Sequence, residues 1–388
     1  MKFSASPQSH NSQAIMTSIA PISIYSAFTA QVLVPFVSNA ANSPIPFTEK
    51  VRVAITIGSG TDSRNLSPSI DTGTCGFVLS TDSFPSWPPA NLSDYPIGWE
   101  FLSSSKKLYS GHWIPQDVFF RQAGVQVRSR IPILAVEETV ICPNYQETDA
   151  NFCPTPVGQD PPVVTHLPER IALFGVGFGR QHDGQPQGDP DKNAFLNVVS
   201  INNIPTAGNT NFRNGYTITK DGITIGLTES NTAGHSFTEL REGLHHSTHP
   251  LDWQPVPACI AVDPMTSCVE GTSLIDTGIT HSYLTLPLGS PVHRHDAESP
   301  SSKALVKALD DGSIVRVTFG TNNNTMEDTF TVVNSTNTII TDHTPDMVIT
   351  TLASPAVKPP FINTGTHFLR TWNVAFDAVG GRFGLRRA

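Results

Sequence analysis

Two aspartates stand out by their surroundings. Asp71 lies in "SIDTGTCGFVLS" (69–80) and Asp276 in "SLIDTGITHSYL" (273–284). Each opens an Asp-Thr-Gly that follows a β-type run and precedes another apolar run. They lie roughly half the 388-residue chain apart, which suggests two lobes that each bring one carboxylate. Two carboxylates held about 3 Å apart cannot both ionise cheaply, so the pair shares a proton over a broad acidic range. Such a pair can take a proton from water and give one to a carbonyl oxygen or leaving nitrogen. Its titration belongs to the pair, not to either residue. Gly73 and Gly278 allow close backbone approach to the carboxyls. Thr72 and Thr277 can hydrogen-bond across the lobe interface. Thr74 keeps a hydroxyl near Asp71, whereas the matching place after Asp276 is Ile279. The bland alternative is that both tripeptides only hold the fold. A buried carboxylate pair is costly to keep without use, which weighs against it.

Strands must position these residues. Charged residues are only 15% of the chain, with 32 Pro and 28 Gly, the composition of a turn-rich β protein. "KVRVAITIGSG" (50–60), "SGHWIPQDVFF", "VRSRIPILAVEETVIC" and "DGITIGLT" (221–228) read as strands, and "AQVLVPFV" as the first strand. The pattern predicts few helices. "SSKALVKALDDG" (301–312) is the best, with Ala304, Leu305, Ala308 and Leu309 on one stripe and Gly312 closing it. "DKNAFLNVV" (191–199) is a weaker one. Each half also carries a later apolar strand with a central Gly, "IALFGVGFG" (171–179) and "PFINTGTHFLRTWNVAFD" (360–377). The Gly/Asn/Gln-rich stretch 179–215 is the expected lobe junction.

Net charge −9 argues against a nucleic-acid partner, and no apolar run is long enough to span a membrane. Of five cysteines, Cys259 and Cys268 flank a predicted hairpin and are the favoured disulfide. Cys142 and Cys153 bracket a polar loop and could form a second, leaving Cys75 free. That pattern suits a secretory protein, but no convincing signal peptide precedes it, and four reduced thiols would read the same in sequence. "HHSTH" (His245, His246, His249) and "HRHD" (293–296) read as solvated loop histidines, so no metal site is expected. Four sequons, at Asn65, Asn91, Asn323 and Asn334, are what so Asn-rich a chain gives by chance.

From about residue 30 to the C-terminus the chain resembles the pepsin-like aspartic peptidases. "SIDTGTCGFVLS" and "GTSLIDTGITHSYLTLP" look like that family's two active-site segments, and "ALFGVGFG" is similar to its Ile-Leu-Gly-Leu-Gly strand. "PLDWQPVPACIAV" resembles the strand before the second Asp, and "GTHFLRTWNVAFDAVGGRFGLRRA" the closing motif. Three departures accompany the match. Thr366 stands where the family has Asp, and Asn363-Thr364 where it has two apolar residues. Phe77-Val78 replaces a Leu-Trp whose Trp braces the Tyr of the flap hairpin over the substrate. Alignment leaves "FLSSSKKL" for that hairpin, with Ser104 near the Tyr position and Tyr109 out of register.

The resemblance implies an all-β, bilobal pepsin-like fold: two six-stranded-barrel-like lobes, a central cleft and few short helices. The expected division is an N-terminal segment 1–25, a lobe 26–205 with the first Asp-Thr-Gly, and a lobe 206–388 with the second. Asp71 and Asp276 are the implied catalytic residues, supported by Thr72, Gly73, Thr74, Thr277 and Gly278. Ser104, Tyr109, Phe77 and His281 are cleft or flap candidates. The implied activity is peptide-bond hydrolysis without a cofactor, by a monomer that takes a peptide or small molecule between its lobes. The alternatives are other acid–base chemistry on a small molecule (cyclisation, dehydration or isomerisation) and an inactive binding protein on the same scaffold. The short polar flap predicts weak or narrow proteolysis and a cleft open on that side.

Overall fold

The computed structural model describes residues 23–37, 47–122, 124–155, 157–158, 160–179, 187–301, 303–320, 325–333 and 343–388. Most of the segment 1–25 and the sequons Asn323 and Asn334 fall outside them. Among the described residues the strands form three sheets. Eleven strands between Ile55 and Pro205 make the first, and nine between Val256 and Asn363 make the second. A six-stranded sheet joins Val32–Pro35 to strands at 215–239 and 372–387. One short α-helix, Glu229–Thr232, is described. This is the all-β, two-lobed arrangement that the pepsin-like resemblance implies. The lobe sheets carry more strands than a six-stranded barrel because long hairpins such as Lys107–Gln122 with Val125–Ile141 extend them.

The same strand unit positions both aspartates. In the first lobe, Ala172–Val176 runs parallel to Ser69–Asp71 and antiparallel to Cys75–Ser80. In the second, Phe361–Asn363 runs parallel to Val269–Leu274 and antiparallel to Ser282–Pro287. The Gly-centred strand therefore threads between the two strands that flank each Asp-Thr-Gly turn. That placement requires Gly175, where a Cβ would lie 2.5 Å from the Gly76 carbonyl oxygen, and Gly365, where it would lie 2.5 Å from that of His281. The lobes therefore align as pseudo-equivalents: Asp71 with Asp276, Val78 with Tyr283, and Leu173 with Asn363.

One core runs through all three sheets. Its spine is aromatic: Phe174–Phe195 at 5.8 Å, Phe195–Tyr216 at 5.4 Å, Tyr216–Phe376 at 5.0 Å and Phe376–Phe383 at 5.6 Å between ring centroids. Each such pair adds about 0.5–1.5 kcal/mol beyond its buried area, so the central sheet ties the lobes together through packing. Asp377 is buried in that sheet, where Arg213 donates to both its oxygens at 2.9 Å and the Tyr25 hydroxyl donates at 3.1 Å. Two disulfides are present, Cys142–Cys153 and Cys259–Cys268, and Cys75 is a buried free thiol.

Two predicted helices are not helices. Within 301–312 the chain forms the strand Leu305–Leu309, antiparallel to Arg294–Glu298. Asp296 sits opposite Lys307 and pairs with it at 2.8 Å. The cross-strand partner, together with burial of Ala308 and Leu309, overrides the helical propensity of the segment. Within 191–199 a single 3₁₀ turn, Pro190–Lys192, leads through further turns to the strand Val198–Ile201. That strand pairs with Val125–Ile141.

Candidate active site

The two Asp-Thr-Gly turns meet back to back. The Thr72 N–H donates to Thr277 Oγ1 at 3.0 Å, and the Thr277 N–H donates to Thr72 Oγ1 at 3.0 Å. Each hydroxyl then donates onward, Thr72 to the Ile275 carbonyl at 2.6 Å and Thr277 to the Ile70 carbonyl at 3.0 Å. Both threonines are buried, so these bonds act where water does not compete. Inside each turn a glycine N–H donates to its own aspartate: Gly73 to Asp71 Oδ1 and Gly278 to Asp276 Oδ1, both at 2.7 Å. Each glycine also faces the opposite carboxyl. A Cβ on Gly73 would lie 2.5 Å from Asp276 Cγ, and one on Gly278 would collide with the Asp71 carboxyl.

Asp71 and Asp276 are in hydrogen-bond contact. Burial, first, and the charge of Asp276, second, push Asp71 up to about 7; Lys50 and the Gly73 N–H act in the opposite direction. The pair thus keeps one proton across the acidic range. The surroundings of the two differ. Asp276 is only 6% exposed, while Asp71 is half-buried.

Asn363 is the site residue that sequence reading missed. Its Nδ2 donates to Asp276 Oδ2 at 2.6 Å. Its Oδ1 accepts from the Gly365 N–H at 3.0 Å, which fixes the amide orientation, since a backbone N–H can only donate. The available signal was the polar Asn363 in a place where the family resemblance expects an apolar residue.

The other candidates fall in different places. Thr74 is buried beside Gly175, and its hydroxyl makes no hydrogen bond among the described residues, so it does not support Asp71 as expected. Phe77 is not a cleft residue. It is fully buried with its ring 4.8 Å from Phe174, because its strand alternation turns it into the core. Tyr109 is buried against Val78, Trp113, Leu134 and Val136. The space over the small Val78 side chain is shared by this Tyr and by Trp113, whose indole N–H donates to Gln187 Oε1 at 2.5 Å. His281 is 3% exposed with its ring 5.0 Å from that of Tyr283, and burial holds it below the usual histidine range.

The segment expected to form the flap is a hairpin of Ile97–Leu102 and Lys107–Gln122, with a polar turn between them. Its turn end is braced by a cluster of Phe101, Leu108, Val140, Cys142 and Tyr145, with Phe101 and Tyr145 stacked at 4.2 Å. The tip was expected to leave the cleft open. Instead it touches the second lobe: Ser301 Oγ donates to the Ser104 carbonyl at 3.3 Å. Ser301 is itself held by Ser299 at 3.2 Å and by the Tyr283 hydroxyl at 3.4 Å. A tyrosine therefore does lie near the flap, but it comes from the opposite lobe, seven residues after Asp276. His245 and His246 lie in turns and His249 just after them; His245 Nδ1 is 3.2 Å from Asp189 Oδ1, and no group of metal-holding side chains occurs among the described residues.

Among solved structures, the aspartic proteinase from Irpex lacteus is similar over 92% of this chain and 98% of that one, with a TM-score of 0.49 and 13% identity. No family model and no curated protein matches the sequence.

Proposed function

We propose that this chain is an aspartic-type hydrolase that cleaves peptide bonds with water activated by Asp71 and Asp276. The observation that carries the reading is the pair itself: two carboxyls brought together and fixed by crossed threonine bonds, with burial and the charge of Asp276 pushing Asp71 up. A water between them gives a proton to Asp276 as its oxygen bonds to the carbonyl carbon, while Asp71 gives its proton to the carbonyl oxygen. The tetrahedral intermediate then collapses. The C–N bond breaks as the leaving nitrogen takes the proton that Asp276 gained, and a hydroxyl of the intermediate returns a proton to Asp71 as the carbonyl re-forms. The rigid turns supply the orientation that makes this sequence effectively unimolecular. A peptide-library digest from pH 3 to pH 8 tests the reading. Cleavage that disappears in both Asp71→Asn and Asp276→Asn supports it.

The flap favours a second reading, non-proteolytic acid–base chemistry on a small molecule. The Ser104 carbonyl, at the flap tip, already accepts from Ser301. An extended peptide would have to displace that bond to pair with the tip, whereas a small molecule under a closed flap would not. A statine-type peptide mimic separates the two, since tight binding below pH 5 accompanies peptide cleavage only in the first.

A further inference from the structure

We propose that Asn363 is a positioning residue that holds Asp276 as the proton acceptor of the pair and so decides which carboxyl begins as the acid. The inference rests on the reading of Asp71 and Asp276 as a working pair and adds a division of labour between them. Both oxygens of Asp276 accept from fixed N–H donors, Oδ1 from Gly278 at 2.7 Å and Oδ2 from Asn363 at 2.6 Å. Two fixed N–H donors favour the acceptor form of a carboxyl, because a carboxylate accepts hydrogen bonds more strongly than a neutral acid does. The amide cannot turn around, because its oxygen is held by Gly365. Asp276, Asn363 and Thr277 are all at most 6% exposed, so the arrangement is not diluted by solvent.

The first lobe supplies the contrast. The position that corresponds to Asn363 is Leu173, which has no group to donate. Asp71 keeps the proton in consequence, which burial and the charge of Asp276 also favour. Several titratable groups face the pair. Asp71 is in contact with Asp276; His281 and Tyr283 feel its charge from the strand that follows; Lys50 and Asp346 act on the same cluster from further away. Burial lowers His281 and raises Tyr283, so both are neutral through the middle of the pH range. Neither supplies the fixed charge-assisted bond that the amide does.

The test is Asn363→Leu, which copies the first lobe at the matching place, with Asn363→Ala as a second variant in case the larger side chain prevents folding. Removing the donor destabilises the singly ionised pair relative to the fully protonated one. It leaves the loss of the second proton, from Asp71, nearly unaffected. The acidic limb of the pH–rate profile therefore moves up by about one pH unit while the alkaline limb stays in place. Here kcat falls more than KM rises, because the amide touches no substrate. Carbon-13 titration of the aspartate carboxyls follows the same shift without any turnover, so it stands even if peptide cleavage is never found. An acidic step that does not move in the folded variants overturns the proposal. So does an equal shift of both limbs, which is what mere distortion of the Gly365 turn would produce.

Discussion

The two halves of the site share a backbone and differ in their side chains. The Asp-Thr-Gly turns are bonded almost symmetrically, with both crossed Thr bonds at 3.0 Å and both Gly-to-Asp bonds at 2.7 Å. Around them the matched positions diverge. Gly76, Val78 and Leu173 in the first lobe correspond to His281, Tyr283 and Asn363 in the second. At these matched positions the first lobe carries groups without side-chain hydrogen bonds, and the second carries groups that can hydrogen-bond. A symmetric frame fixes where the carboxyls meet; an asymmetric lining sets what each one does. The hairpin carries the asymmetry further, since the first lobe provides it and the second provides the Ser301 hydroxyl that meets it, held by Ser299 and Tyr283.

The symmetric frame can be broken most severely at its glycines. Gly73→Ala and Gly278→Ala each drive a methyl group into the opposite carboxyl, so each should reduce turnover at least about 100-fold. A loss confined to one of them, measured by kcat/KM, would show that the turns are not equivalent. The threonines come next. Thr72→Val and Thr277→Val each remove two buried hydrogen bonds and leave backbone partners unpaired, which should cost about 2–4 kcal/mol by denaturant unfolding. Symmetry predicts similar losses, and a difference above about 2 kcal/mol, the scale of one such unpaired group, would contradict it.

The asymmetric lining has a pH signature. Asp71 sits at about 7 in the folded chain, against an ordinary carboxylate value when unfolded. Between roughly pH 4 and pH 7 the folded state binds a proton that the unfolded state has released. The associated stability is present below that window and is lost as pH rises through it. Thermal unfolding should therefore show Asp71→Asn less sensitive than the parent chain across that window, and an unchanged slope would argue against the raised carboxyl. The smallest effect belongs to the flap tip. Ser301→Ala removes the exposed bond to the flap tip along with those to Ser299 and Tyr283, and should cost less than about 1.5 kcal/mol in stability. It should change KM for a peptide more than kcat. Fragments of a small substrate should notice it less.

How much of this was legible in the sequence follows from how local each signal is. The doubled Asp-Thr-Gly, its flanking strands and the two Gly-centred strands could be read because each is a short motif whose chemistry demands its residues. The helix predicted at 301–312 failed because its pattern is ambiguous on its own. The deciding partner, Arg294–Glu298, has no signal within the segment that it pairs with. Phe77 and Tyr109 were misplaced because only the three-dimensional alternation of the sheet tells a core-facing ring from a cleft-facing one. Asn363 was visible as a departure from the family pattern, yet its role depends on a contact 87 residues away in sequence.

The most direct measurement is cleavage of a mixed peptide library by the purified chain from pH 3 to pH 8, beside Asp71→Asn and Asp276→Asn proteins shown to be folded. The account predicts cleavage by the parent chain at acidic pH and a fall of at least about 100-fold in each variant, the lower scale of general acid–base catalysis. Full activity in either variant would contradict it, because a pair that shares one proton cannot work with a single carboxyl.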